Sequence, residues 1–268
     1  MNQLIKKKKL LIMAHQNSRI EEIKNNGYQL DFGNVFEHAF QNYKKIALYG
    51  GLMILVFSIL FYSLLAIILF SFYDFTTISE TMKPENMRHL TTSVNFLLLN
   101  AAITILIGSL LSPFSAGFLK MADCGEKGKE FHISTIFEYY KAPYFKEIVI
   151  STFLITIVNT GLTVLFNLSK MENIGLFISL ILSFLTFLTV PLIIFGNLKA
   201  VDAIKSSIAI VAKQPLVILG LLIVAIIFAM VGFIGCCIGI FFTIPFLFSM
   251  SYAIYSAIIG VDSENEIE

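Results

Sequence analysis

Tryptophan is absent from this chain, charge is scarce, and cysteine occurs only three times. Asp, Glu, Lys and Arg make up 14% of the residues against 57% hydrophobic, with a mean hydropathy of +0.82. A soluble domain carries roughly 25% charged residues, so this composition excludes one and points to a membrane protein. A net charge of +1 leaves no electrostatic footprint for nucleic acid. Cys124, Cys236 and Cys237 have the spacing of neither a zinc site nor a disulfide framework. They read as small apolar packing residues. The four histidines, His15, His38, His89 and His132, fall on separate segments, and a metal site needs three or four converging ligands. Gly125 and Gly128 lack the rest of a phosphate-binding loop, and no Gly-x-Ser-x-Gly elbow exists. No catalytic residue, cofactor or metal is expected, and the chain is not read as an enzyme.

What remains is long uncharged runs. Residues 46–73 contain no charge, and about 20 residues suffice to cross a hydrocarbon core of about 30 Å. Further spans are expected at 94–119, 148–166 and 174–196. The last apolar tract runs to Ile259 and would be about 65 Å long as one helix, so it must fold back. Gly232, Gly235 and Gly239 mark the turn, giving spans at 216–234 and 240–259. Residues 1–30 form a polar, basic tail, in which Met13 is an alternative start, and 261–268 an acidic one.

Three amphipathic stretches precede the three pairs of spans. Asp31 offers an N-cap to the first, where Phe32, Val35, Phe36, Ala39, Phe40 and Tyr43 follow helical spacing and Asn34, Glu37, Gln41, Asn42 and Lys44 take the other side. The second is Ser134–Tyr140, with Ile136, Phe137 and Tyr140 on one face. The third is capped by Asp202 and aligns Ile204, Ile208 and Val211. Helices of this kind beside spans are expected to lie in the interface plane. Each even-numbered span contains a proline, Pro113, Pro191 and Pro245, and Leu-Lys-x-x-Asp follows the first two, as Lys120 with Asp123 and Lys199 with Asp202. The expected fold is therefore an all-α membrane protein, with six spans in residues 31–260 as three parallel hairpin repeats. In it the three prolines kink their helices alike.

Lysine and arginine set orientation. Eight lie up to Lys45, five from Lys120 to Lys146 and three from Lys199 to Lys213, which puts sixteen of nineteen on one side. Both termini are therefore expected in the cytoplasm, with the chain in a bacterial inner membrane. No span contains a charge, which counts against a proton-coupled transporter. Asn95, Asn100 and Asn159 are the notable polar residues in the spans, fitting either interhelical hydrogen bonds or the lining of a solute path. Tyr43, Tyr139, Tyr140 and Tyr255 serve as interface anchors in place of tryptophan.

The start Asp31-Phe32-Gly33-x-x-Phe36-x-x-Ala39-Phe40-x-x-Tyr43-Lys44-Lys45, followed by a span, resembles a broad set of uncharacterised bacterial six-span membrane proteins. These are similar to the membrane domain attached to some glycerophosphodiester phosphodiesterases. The resemblance covers residues 31–260 and implies the six-span fold. It does not carry the hydrolase activity, because the catalytic barrel has no counterpart in this chain. The expected role is non-enzymatic, organising lipid or a partner protein, including a second copy, through basic interfacial helices. The alternative is a facilitator for an uncharged or amphipathic solute.

Overall fold

The computed structural model describes residues 18–87, 93–141, 143–235 and 238–261, which contain helices and no strand. Cys236, Cys237, His15, His89, Met13 and the acidic tail after Val261 lie outside the described residues. A short helix α1 at 18–26 leads through Gly27 to α2 (Phe32–Phe72) and α3 (Phe75–Thr81). Then come α4 (Val94–Glu126), α5 (Ile133–Ile136) with a 3-10 turn Glu138–Tyr140, and α6 (Tyr144–Leu168). The chain continues through α7 (Glu172–Thr186), α8 (Thr189–Ile194), α9 (Ala200–Val211), α10 (Pro215–Val231), α11 (Gly239–Thr243) and α12 (Pro245–Ile259). Among the described residues, six stretches are long and apolar enough to cross a membrane: Phe32–Phe72, Val94–Glu126, Tyr144–Leu168, Glu172–Ile194, Pro215–Gly235 and Gly239–Ile259. The chain is a multi-pass, all-α membrane protein.

The first amphipathic stretch and the first span are one helix. Asp31 caps α2 as expected, its carboxylate accepting from the Asn34 N–H at 2.7 Å. No boundary follows at residue 45, because nothing before Gly50 breaks the helix. Its 41 residues extend about 62 Å, twice the hydrocarbon thickness. The buried stripe is Val35, Ala39, Asn42, Ile46 and Gly50, so Asn42 belongs to the apolar face and not, as its polarity suggests, to the solvated one. Antiparallel to this stripe runs α12: Phe246 meets Phe36 edge-on at 5.9 Å, Ser249 meets Asn42, and Pro245 packs on Gly50. Alongside, α10 sets Gly220 against Phe32 and Phe228 against Tyr43 at 5.3 Å. Gly51 lets the third hairpin come close, since a Cβ there would stand 2.9 Å from the Phe242 Cα.

The third hairpin thus lies beside the amphipathic half of α2. Twenty-one residues of α2 remain beyond Gly51, to Phe72, about 32 Å. There Leu60, Leu64 and Ile67 are exposed, as are Leu98, Leu99 and Leu106 on α4. Dense packing is confined to the opposite end, called the packed end below. It gathers residues 116–124 of α4, 188–194, and most of α12. The second hairpin joins it through α6, which packs extensively on α4.

The connections are structured as well. Between the first two candidate spans lies α3, whose N-cap is Asp74 with its carboxylate 2.9 Å from the Thr77 N–H. The Ser134–Tyr140 segment forms four α-helical residues and a 3-10 turn rather than one amphipathic helix, and buries Ile136 and Tyr139 while Phe137 and Tyr140 stay largely exposed. Gly117 makes this crossing feasible: a Cβ there would lie 2.1 Å from the Ile136 carbonyl oxygen.

Candidate functional site

The polar groups of the packed end converge on the last turns of α4. Asp123 is 3% exposed, and a lone buried carboxylate would be costly. Two ammonium groups compensate it: Lys127 at 2.7 Å from Oδ1 and Lys120 at 3.3 Å from Oδ2. The Tyr252 hydroxyl of α12 donates to Oδ1 at 3.3 Å. One turn on, Glu126 receives the Asn42 amide at 3.3 Å, with Lys45 at 3.7 Å and His38 Nε2 at 3.1 Å. The His38 contact is not aligned as a hydrogen bond, so it attracts only when the imidazole is protonated. Asn42 also donates to the Ala122 carbonyl at 2.8 Å and accepts from the Ser249 hydroxyl at 2.9 Å. The network ties α2, α4 and α12 together.

This arrangement is a clamp. Both carboxylate oxygens of Asp123 and Oε2 of Glu126 face a cation or donor of the chain itself. Among the described residues, no three of His, Cys, Asp and Glu converge as metal ligands. Nearby, burial pushes the Tyr139 hydroxyl well above the usual tyrosine range, so it stays protonated.

Sequence reasoning singled out Lys120 and Asp123 but not His38, Asn42, Glu126, Ser249 or Tyr252. The signal for Asn42 is its register with Val35, Ala39 and Ile46, which outweighs its polarity. The second Leu-Lys-x-x-Asp has a different local structure. Lys199 occupies the N-cap position of α9 and Asp202 its first turn, so Asp202 does not cap this helix. The Ala200 N–H donates instead to Glu147 of α6 at 2.8 Å, and the Tyr144 hydroxyl holds Asn197 at 2.8 Å. Asn197 has φ of 53°, a left-handed conformation asparagine tolerates.

The prolines also sit in different local structures. Pro113 lies inside the unbroken α4, and the Ser112 hydroxyl donates at 2.7 Å to the Ser109 carbonyl that Pro113 cannot serve. Pro191 follows a helix break at 187–188. Across that break Ser207 of α9 accepts from the Leu188 N–H at 3.2 Å and donates to the Leu185 carbonyl at 2.8 Å. Pro245 opens α12, and just before it Thr243 donates to the Ala229 carbonyl at 2.7 Å. Hydroxyls thus serve the backbone at each proline, as apolar surroundings require.

The three asparagines do not meet. Asn95 and Asn100 are exposed on α4, Asn100 in a 3.5 Å contact with Thr104 of its own helix. Asn159 donates to Ser183 of α7 at 3.0 Å.

A second feature lies between α1 and α9. Ile20, Glu21, Lys24, Leu198, Asp202, Lys205 and Ser206 enclose a cleft of about 280 Å³. Asp202 therefore joins a mixed-charge cleft. Compared with protein-family models, curated proteins and solved structures, the chain matches none of them.

Proposed function

We propose that this protein is a non-enzymatic component of a bacterial inner membrane that organises lipid or a partner protein at its packed end, with both termini in the cytoplasm. The observation that carries this is the division of the molecule. Buried polar groups and their ion pairs gather at one end, while the far halves of α2 and α4 expose apolar side chains in lengths suited to lipid. The basic residues Lys199, Lys205 and Lys213 flank or belong to α9, a 12-residue helix between the fourth and fifth candidate spans. A helix so tethered at both ends belongs at the membrane surface, where each lysine near an anionic leaflet contributes about 1 kcal/mol. The three hairpins and the segments before them remain, in this proposal, repeats of one unit adapted differently, in keeping with the resemblance to phosphodiesterase membrane domains.

Spin-labelled lipids in proteoliposomes test this. Anionic lipid should be motionally restricted more than zwitterionic lipid, less so at high salt and in a Lys199→Gln, Lys205→Gln, Lys213→Gln variant. Equal restriction in wild type and variant would remove the basis for a surface role. A solute facilitator is the second candidate, and the interhelical bond of Asn159 to Ser183 weighs against it by giving that amide a structural use.

A further inference from the structure

We infer that the cleft between α1 and α9 binds the headgroup of a zwitterionic phospholipid, a phosphate joined to an ammonium; this names one site within the surface role proposed above, and rests on it, apart from the surrounding anionic lipid that the lysines attract without a cleft. The cleft holds four charged side chains of two signs. Glu21 and Lys24 neutralise each other at 2.7 Å. Asp202 and Lys205, one turn apart on α9, have no ion-pair partner among the described residues. They offer one negative and one positive position on the same wall.

Ser206 is the second observation. It is 1% exposed and lines the cleft, yet its hydroxyl has no hydrogen-bond partner among the described residues. A helical serine commonly bonds the carbonyl four residues back, as Thr186 does with Leu182 at 2.8 Å. The Ser206 hydroxyl makes no such bond and is open to the cleft, where a ligand oxygen can satisfy it. A phosphate placed between Lys205 and Ser206 gains a charge-assisted hydrogen bond, and an ammonium beside it faces Asp202. A purely anionic headgroup would meet Asp202 and Glu21 unfavourably, so the chemistry selects net neutrality with separated charges. Ile20 and Leu198 supply apolar wall for the glycerol end, and the position of α9 between two spans brings the cleft to headgroup level.

Native mass spectrometry of the full chain in detergent provides the test, titrating phosphatidylethanolamine, phosphatidylglycerol and free O-phosphoethanolamine. The expected result is about tenfold tighter binding of phosphatidylethanolamine than of phosphatidylglycerol. Ser206→Ala should weaken it several-fold, and D202N/K205Q should abolish the preference, each with an unchanged circular dichroism spectrum. Displacement of the lipid by free phosphoethanolamine at similar concentration supports the site and assigns it a soluble occupant. Phosphatidylglycerol binding as tightly as phosphatidylethanolamine, or indifference to D202N/K205Q, overturns the site while leaving the broader surface role standing. If neither lipid is retained above detergent background, the site falls and the lipid half of the surface role falls with it.

Discussion

Asn42 is the residue on which the clamp at the packed end most depends. It is fully buried, donates to the Ala122 carbonyl at 2.8 Å and accepts from Ser249 at 2.9 Å. Asn42→Ala removes these two interhelical bonds, each contributing about 0.6–1 kcal/mol in a membrane protein, and with them the longer contact to Glu126. It also leaves the buried Ser249 hydroxyl without its acceptor, at about 1 kcal/mol more. The expected loss is therefore about 2–3 kcal/mol. Ser249→Ala alone should cost about 1 kcal/mol. The double variant should fall short of the sum by about 2 kcal/mol, because the shared bond is counted in both single variants and no orphaned hydroxyl remains. SDS-driven unfolding in mixed micelles, followed by circular dichroism, measures all three. Strict additivity, or a loss under about 0.5 kcal/mol for Asn42→Ala, would refute a coupled network.

Three other outcomes are expected. Gly117→Ala should cost about 3 kcal/mol or more, since its Cβ would collide with the Ile136 carbonyl; a thermal melt unchanged from wild type would contradict this. Glu147→Ala should cost about 1 kcal/mol by uncapping α9, and hydrogen exchange should speed at Ala200 before the rest of that helix. Tyr28, whose hydroxyl donates to the Ile210 carbonyl at 2.9 Å, is raised by burial above the ordinary tyrosine value near 10. Because the folded value exceeds the unfolded one, its contribution is complete below about pH 10 and is lost as pH rises further. Tyr28→Phe should therefore reduce the alkaline fall in stability, and an identical fall would show that this hydroxyl is not the group concerned.

The features set by local chemistry were legible in the sequence. Uncharged length marked all six candidate spans, Asp31 marked the start of α2, and the glycines after Val231 marked the last reversal. What stayed hidden is tertiary. The continuity of α2 past Lys45 cannot be inferred from amphipathicity, because the same apolar stripe suits lipid headgroups or the face of α12. Asn42 reads as solvated until α12 supplies Ser249. Leu-Lys-x-x-Asp is one spelling with two structures: in α4 the backbone stays helical through Asp123, whereas Asn197 turns the chain before Lys199. The cleft is less legible still, since its walls are nearly 180 residues apart, at Glu21 and Asp202.

The proposed role is binding at a surface rather than conduction along a path, and permeability distinguishes these most directly. Vesicles containing the full chain should pass glycerol and sorbitol no faster than protein-free vesicles of the same lipid, by stopped-flow light scattering. In the same preparation, spin-labelled anionic lipid should remain restricted. Solute flux above the protein-free rate, abolished by Asn159→Ala, would contradict the account and identify a facilitator.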